Sequence, residues 1–490
     1  MDFFPVPAEA DCDIAHLVVD SRLISKNDLF LAVKGVHGHG RQYISQAIAR
    51  GARAILVEAE KANEALTFRD QVPLLPIYQL SHHLAALAAR FYHHPAKKLR
   101  MIGVTGTSGK TSCTHFIAQS LQALHIPCGL IGTLGNGFFG ELGEVGLTTP
   151  DAITLQAILQ RFVEQKAEAI AMEVSSHSIA QGRVSGIEFE MGLFTNLSQD
   201  HLDYHGDMKT YAAVKRQFLS NLSTKQVIIN ADDAHGQQWI AELADHKPVY
   251  AYGTEIANDL PATVAHIVAD HVELSLQGIK AHVTTPWGKG KLVLPLIGQF
   301  NLSNALAALT ALCLYDIPLE QALNQLSELS PVPGRMQLLG GKHQPLVVVD
   351  YAHKPDALEK VLQALRAHGQ GKLLCVFGCG GERDRGKRPL MAAIAERWAD
   401  QIIVTNDNPR HENPTDIAAE IMRGFSHPER VKVELDRSQA ILHSIEWASA
   451  KDCVLIAGKG AEHYQQIGDE KFPFDDAEKV AQALQKCRVD

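Results

Sequence analysis

The sequence predicts an α/β protein of three domains: a small N-terminal α/β domain over 1–97, a central domain with a mostly parallel sheet over 98–333, and a Rossmann-like doubly wound domain over 334–490. Three observations predict it. A chain of 490 residues is longer than one hydrophobic core supports, and at about 150 residues per domain it divides into roughly three. The last third alternates strand and helix signals, the mark of a parallel doubly wound sheet. An apolar strand at Arg100–Thr105 runs into a glycine loop and then a helix from Lys110, a junction that opens a new α/β domain.

Composition narrows the class further. Hydrophobic residues make up 46% and charged residues 21%, values of a folded chain rather than a disordered or collagen-like one. Lys and Arg number 46 against 55 Asp and Glu, a net charge of −9, which argues against a general nucleic-acid binder because phosphate neutralisation needs a basic face. No apolar run approaches the ~20 residues of a membrane helix. The segment Met1–Asp13 carries no basic n-region, so no signal peptide is expected. Eight cysteines lie scattered without a CxxC pair; Cys375 and Cys379 read as core thiols rather than zinc ligands. The expected compartment is the reducing cytoplasm.

In the first segment, strand-like pieces fall at His16–Val19, Leu29–Val33, Ala54–Val57 and Leu74–Ile77, with an apolar-periodic helix around Ser81–Tyr92. The polar His93–Lys98 stretch reads as a linker. The second segment continues from Arg100–Thr105 with strands at Ala169–Val174, Gly192–Thr195 and Val227–Asn230. Alternating sections at His266–Leu276 and His282–Leu294 read as an added antiparallel piece, and helices at Leu302–Leu314 and Leu319–Leu329 close the segment. Pro331–Gly334 marks the second boundary. Strands at Leu346–Val349, Lys372–Phe377, Gln401–Val404, Val431–Glu434 and Cys453–Ile456 then alternate with helices that include Pro355–Ala367 and Lys387–Ala399.

The residues with chemical potential sit at the ends of these strands. In Gly106-Thr107-Ser108-Gly109-Lys110-Thr111-Ser112 the glycines let backbone N–H groups converge on phosphate oxygens at a helix N-terminus. Lys110 would reach the terminal phosphates and the Thr111 hydroxyl would ligate Mg²⁺. The standard GxxxxGK[ST] spacing needs glycine at Val104, so the match is imperfect. Glu173, closing an apolar strand ahead of Ser175, suits a magnesium ligand or an edge carboxylate satisfied by its neighbours. Asp200, His201, Asp203 and His205 crowd one post-strand turn. Lys215 reads, by local chemistry, as a surface helix lysine. In the third segment four polar clusters begin at Asp350, Gly378, Asn406 and Gly458, each after a strand, and should share one crevice at the carboxyl edge of the sheet. Asn413 and Pro414 read as N-cap and first residue of a helix.

Taken together the motifs resemble the Mur ligases, and among them the branch that adds meso-2,6-diaminopimelate. The resemblance runs over nearly the whole chain, through Asp20–Arg22, Thr105–Thr111, Glu173–His177, Asp200–Gly206, Gly298–Asn304, Pro333–Met336, Asp350–His353 and Asp407–Arg410. It implies that the central domain is a P-loop-type ATPase domain whose shortened loop explains Val104. The activity implied is ATP-dependent amide bond formation in cytoplasmic peptidoglycan precursor synthesis. ATP phosphorylates the D-glutamate side-chain carboxylate of UDP-N-acetylmuramoyl-L-alanyl-D-glutamate, and the diaminopimelate amine attacks the acyl phosphate. By resemblance Val19, Ser21, Val36, His37 and Gly38 hold the uridine end, while Thr148, Thr149, Ser175, Gln181 and Arg183 contact the sugar-peptide.

ATP falls to residues 106–112 with Asn301, Arg335, Asp350 and His353. Magnesium falls to Thr111, Glu173, His201 and Lys215, the last matching a lysine carbamylated by CO₂. Lys110, Glu173, His201 and Lys215 form the implied catalytic set. Diaminopimelate falls to Arg383, Asp407, Asn408, Pro409, Arg410, Gly458 and Glu462. Arg410 offers a guanidinium fork to the carboxylate that distinguishes diaminopimelate from lysine, and Glu462 an acceptor to the neighbouring ammonium. The implied partners are small molecules alone, with a monomeric chain, no nucleic acid and no membrane insertion. Ser108 and Ser112 replace Asn and Thr of the family loop, and Ala461 stands where the family has histidine. The weighed alternatives are a lysine-adding or other Mur or folylpolyglutamate-type ligase, and a non-catalytic ATP-binding protein.

Overall fold

The computed structural model describes residues 6–34, 38–61, 64–143, 146–254, 260–275, 278–368 and 371–487. Two compact units result: 1–105 with 125–193 and 201–226, and 106–124 with 194–200 and 227–490.

In the first unit the strands Leu17–Val18, Leu29–Ala32, Ala54–Ala59 and Val72–Tyr78 lie side by side in that order, all parallel, with Thr67–Arg69 antiparallel at the edge. Successive side chains leave a strand on opposite faces. Phe30 and Ile55 enter a core with Ile44 and Ala47, whereas Leu31 and Leu56 enter a second core with Leu80 and Ala88 of the Leu80–Phe91 helix. Burial on both faces explains why these strands read as short continuous apolar runs. The expected linker at His93–Lys98 is instead a folded turn: Pro95–Lys98 is a 3₁₀ helix, and Pro95 and Ala96 are buried. Beyond it, Arg100–Thr105 lies between Phe189–Phe194 and Ala169–Glu173, followed by Cys128–Gly132, Gly135–Phe138 and Glu141–Leu142. A Cβ on Gly103 would lie 2.6 Å from the Phe218 ring and 2.8 Å from Phe189, so two aromatic rings close over this strand only because it carries none.

In the second unit the Val227–Asn230 run, Val249–Gly253 and Ala265–Ser275 are parallel. The expected alternating section at His282–Leu294 proves to be two strands, Gly278–Thr285 and Gly288–Leu294, paired antiparallel around a turn at Pro286 and Trp287. The alternation changes phase at the turn: Ile279, Ala281 and Val283 are buried before it and Leu292 and Leu294 after it, with residues 286–289 exposed between. Leu276 lies outside the described residues. The helices Lys110–Ala123 and Gln299–Leu314 are buried on nearly all sides.

The chain's last third forms a six-stranded sheet in the order Gln337–Gly340, Leu346–Asp350, Cys453–Ala457, Leu373–Phe377, Gln401–Val404 and Val431–Val433. Five strands are parallel and Gln337–Gly340 is antiparallel. Helices cover both faces, and cores form on each side. Asn413 accepts a hydrogen bond from Thr415 N and Pro414 opens the helix, as the sequence predicts. Cys375 and Cys379 form no disulfide; burial pushes their thiols up to about 12, the behaviour of inert core thiols. No helix among the described residues is long and apolar enough to cross a membrane.

His115, 4% exposed on the Lys110–Ala123 helix, gives a stability prediction. Burial, helped by the Arg335 guanidinium, lowers its pKa to about 4. The unfolded chain therefore takes up this proton as pH falls through about 6.5 while the folded protein does not, so stability falls between about pH 6.5 and 4. Replacing His115 with Asn should remove about 2 kcal/mol of the stability difference between pH 7 and pH 5. Urea denaturation at both pH values checks this, and an unchanged difference would refute it.

Candidate active site

In the first unit, Glu173 ends its strand with the carboxylate 1% exposed. Thr133 donates to it twice, from N to Oε1 at 2.8 Å and from Oγ1 to Oε2 at 3.2 Å. A Cβ on Gly132 would collide with this carboxylate, so glycine there makes room for the acid. Thr149 Oγ1 donates to the Glu173 carbonyl at 2.7 Å and accepts from Ser175 N at 3.1 Å. Thr148 Oγ1 lies 3.1 Å from Thr133 Oγ1. Arg183 donates to the Thr149 carbonyl at 2.7 Å and twice to Gln181 Oε1. The residues expected to meet the sugar-peptide thus form one connected set around Glu173.

Lys215 corrects the local reading of a surface lysine. It is 1% exposed on the Met208–Ser220 helix, with Nζ 4.8 Å from the Tyr211 ring centroid. The signal was available: Tyr211, Lys215, Phe218 and Leu219 are the buried residues of that helix, and they follow helical spacing, so the lysine occupies a core position of the stripe. His201, at φ +53°, begins the short helix Leu202–His205. Its ring lies 4.8 Å from His177 and 6.3 Å from Tyr211, while His205 Nε2 lies 3.0 Å from Ser176 Oγ. His201 and Lys215 therefore flank the same tyrosine.

Toward the N-terminus, Ser21 is buried and donates to Gln46 Oε1 at 2.8 Å. Val19 is half-buried and Gly38 exposed. Val36 and His37 lie outside the described residues.

In the second unit, the glycine loop is stitched to the segment after the Phe189–Phe194 strand. Thr107 N donates to the Asn196 carbonyl at 2.9 Å, Ser108 N to Asn196 Oδ1 at 3.0 Å, and Thr195 Oγ1 to the Ser108 carbonyl at 2.6 Å. Gly106 has φ +145° and leaves no space for a Cβ against Thr195; Gly109, at φ +87°, precedes the helix. Lys110 Nζ folds over the loop, donating to the carbonyls of Gly106 and Thr107 at 2.9 Å each. Thr111 and Ser112 are buried in the first turn.

Asn301 is buried, its amide donating to the Ile297 carbonyl at 2.9 Å. The Arg335 guanidinium stacks 4.2 Å from the Tyr351 ring centroid. Asp350 accepts from Met336 N and Ala352 N at 2.8 Å each; burial raises its carboxyl, with Arg335 opposing. His353 is held well below its usual value by burial, then by Lys354 and Lys387. Its Nδ1 faces the Tyr351 carbonyl at 2.8 Å, an acceptor, so Nδ1 carries the proton of the neutral ring. Lys354 pairs with Asp200.

The four polar clusters do share the carboxyl edge of the last sheet, where Asp350 is in register with Ala457 and Phe377 with Val404. Asn408 Nδ2 donates to Glu462 Oε2 at 2.8 Å. Gln465 Nε2 donates to the carbonyl of Asp407, which precedes Pro409 by two residues. Gly458 has φ +124°, and a Cβ there would lie 2.7 Å from Asp407 Oδ2. Arg410 has φ +51°, and its Nη1 donates to the Gly381 carbonyl at 2.7 Å. Arg383 is exposed beside it, with Nη1 3.2 Å from the Glu382 carbonyl.

Sequence reasoning missed the residues that hold this edge together. Arg437 and Asp476 form a fully buried pair with two 2.7 Å contacts, and Arg437 also donates to the Asn406 and Ala457 carbonyls. Arg388, fully buried, clamps Glu412 and Glu420. Lys459, also fully buried, joins Asn408 to Glu462. Except for Glu462, three residues after Lys459, these partners lie 20 to 51 residues away in sequence, so local spacing gives no hint of them.

Residues 13–92, 104–312 and 334–460 match, in turn, the Mur ligase family catalytic domain, the Mur ligase middle domain and the Mur ligase glutamate ligase domain. The chain is 48% identical over 475 residues to the UDP-N-acetylmuramoyl-L-alanyl-D-glutamate–2,6-diaminopimelate ligase of Coxiella burnetii, covering 97% of this chain and 96% of that protein. It is 47% identical over 482 residues to the protein of that name from Pseudomonas aeruginosa, covering 98% and 97%. A solved structure of a ligase of that name superposes with a TM-score of 0.68 at 34% identity, over 97% of this chain and 95% of that one. The MurF ligase of Thermotoga maritima in complex with ADP shares the fold, with a TM-score of 0.65 at 19% identity over 98% and 99%. The chain therefore belongs to the Mur ligase family and is an ATP-dependent ligase of three-domain α/β architecture.

Proposed function

We propose that this enzyme joins meso-2,6-diaminopimelate to the D-glutamate side-chain carboxylate of UDP-N-acetylmuramoyl-L-alanyl-D-glutamate, in peptidoglycan precursor synthesis. The observation that carries the reading is the Asp407–Arg410 turn, in which the Asn408 amide holds the Glu462 carboxylate and the Arg410 guanidinium is aimed by the Gly381 carbonyl. The printed names of relatives 47–48% identical over nearly the whole chain support it. Residues 1–97 would hold the UDP end through Val19, Ser21, Val36, His37 and Gly38, residues 98–333 ATP, and residues 334–490 the amino acid.

A carboxylate is a poor acyl donor, so the D-glutamate side chain must first gain a leaving group. Phosphorylation by ATP gives an acyl phosphate; attack by the diaminopimelate amine forms the amide and expels phosphate. Lys110 and the 106–112 loop would grip the phosphates, with Asn301, Arg335, Asp350 and His353 around the nucleotide. Thr148, Thr149, Ser175, Gln181 and Arg183 would hold the acceptor peptide beside Glu173. By resemblance Mg²⁺ would fall to Thr111, Glu173, His201 and a carbamate on Lys215; a hard divalent cation takes oxygen donors, and the buried Glu173 carboxylate is one. When bound, the ion offsets repulsion between carboxylate and triphosphate. The enzyme would act as a cytoplasmic monomer on small molecules alone.

The test is parallel reactions of the purified enzyme with ATP, Mg²⁺ and the UDP-linked dipeptide, supplied with diaminopimelate or lysine, read by mass spectrometry. The expected product carries diaminopimelate, with ADP formed only when both substrates are present. Preferential lysine incorporation overturns the reading in favour of the lysine-adding branch.

A further inference from the structure

We propose that Lys459 is a positioning residue for the amino-acid substrate, fixing the Asn408 amide and the Glu462 carboxylate that would receive its ammonium. The inference rests on the diaminopimelate reading of this pocket. Lys459 follows the Cys453–Ala457 strand and is 0% exposed. Its Nζ donates to Asn408 Oδ1 at 2.9 Å and to Glu462 Oε2 at 3.1 Å, and lies 3.8 Å from Asp407 Oδ1. An ammonium removed from water is tolerable only with such a set of acceptors.

Asn408 cannot turn over in this setting. Its Oδ1 also accepts from Gln466 N at 2.9 Å, while its Nδ2 donates to Glu462 at 2.8 Å. Donors on the oxygen side and an acceptor on the nitrogen side fix one orientation. Without Lys459, Asn408 Oδ1 keeps only the Gln466 N donor and the Glu462 carboxylate loses its buried ammonium partner, so neither group is held as firmly for the substrate. Because Lys459 acts through Asn408 and Glu462, the loss belongs to the amino-acid substrate and not to ATP or the UDP-linked dipeptide.

Steady-state kinetics of Lys459→Met with each substrate varied in turn tests this. The expected result is a KM for diaminopimelate raised about tenfold or more, with the other two KM values within about twofold of wild type. An unchanged KM for diaminopimelate, or a parallel rise in all three, overturns it. As a second measurement, Lys459→Met is compared in a Glu462→Gln background. Its penalty there should shrink at least about threefold, because the group it positions is already altered; full additivity overturns the proposal. Wild-type enzyme unable to incorporate diaminopimelate would sink the pocket reading and this inference with it, whereas an active wild type with a silent Lys459→Met sinks the inference alone.

Discussion

Replacing Arg410 with Lys should lower kcat/KM for diaminopimelate by on the order of 10³-fold while changing that for lysine by less than about threefold. The backbone at this position is fixed from both sides: Arg410 N donates to the Gln466 carbonyl at 3.1 Å, and the Arg410 carbonyl accepts from Gly468 N at 2.9 Å. One arm of its guanidinium is tied to the Gly381 carbonyl. The side chain is therefore aimed before substrate arrives, so little ordering remains to oppose binding. Lysine at this position keeps the charge and discards the fork, and a point charge cannot make two parallel hydrogen bonds to one carboxylate. Free lysine, as substrate, has no second carboxylate and never used the fork, so its poor turnover should hardly move. The measured quantity is the ratio of the two kcat/KM values. A ratio that stays at the wild-type level would remove Arg410 as the source of discrimination.

The legibility of this chain in its sequence follows burial. Strands with helices on both faces, such as Leu373–Phe377 and Cys453–Ala457, are apolar at every position and read directly as runs. The glycine loop read equally well, because Gly106 and Gly109 occupy backbone conformations that side chains disfavour. Short edge elements did not read. Gln337–Gly340 has no fully buried residue, and the Tyr464–Ile467 and Glu470–Pro473 hairpin is half-exposed, so neither leaves a hydrophobic period to find. Within the candidate site the clusters at strand ends were visible as polar residues following apolar ones. Their supports were not: Thr133 under Glu173, Arg437 under Asn406 and Lys459 under Asn408 are joined only by the folded topology. Lys215 stands between these cases, since its place on the buried stripe was present in the spacing and was outweighed by its residue type.

Lys215→Ala should lower ligation on the order of 10³-fold or more, and millimolar acetate or formate should return part of it. A lysine 1% exposed, against the face of a tyrosine and flanking His201, is not explained by solubility or by a surface ion pair. A carbamate forms from the neutral amine, consumes CO₂ and converts a cation into a carboxylate-like anion, so the two forms of Lys215 make opposite demands on their surroundings. A buried anion needs a cation beside it, and the carbamate reading therefore couples this residue to the divalent ion. Alanine removes both the anion and the chain that carries it, leaving a space in which a free short carboxylate restores the charge without the tether. Acetamide, similar in size and uncharged, should restore nothing. An independent readout does not depend on turnover: with ¹³C-bicarbonate, wild-type protein should show a carbamate resonance in ¹³C NMR that Lys215→Ala lacks. Equal rescue by acetate and acetamide would mean that Lys215 fills volume, and full activity in unrescued Lys215→Ala would remove the carbamate altogether.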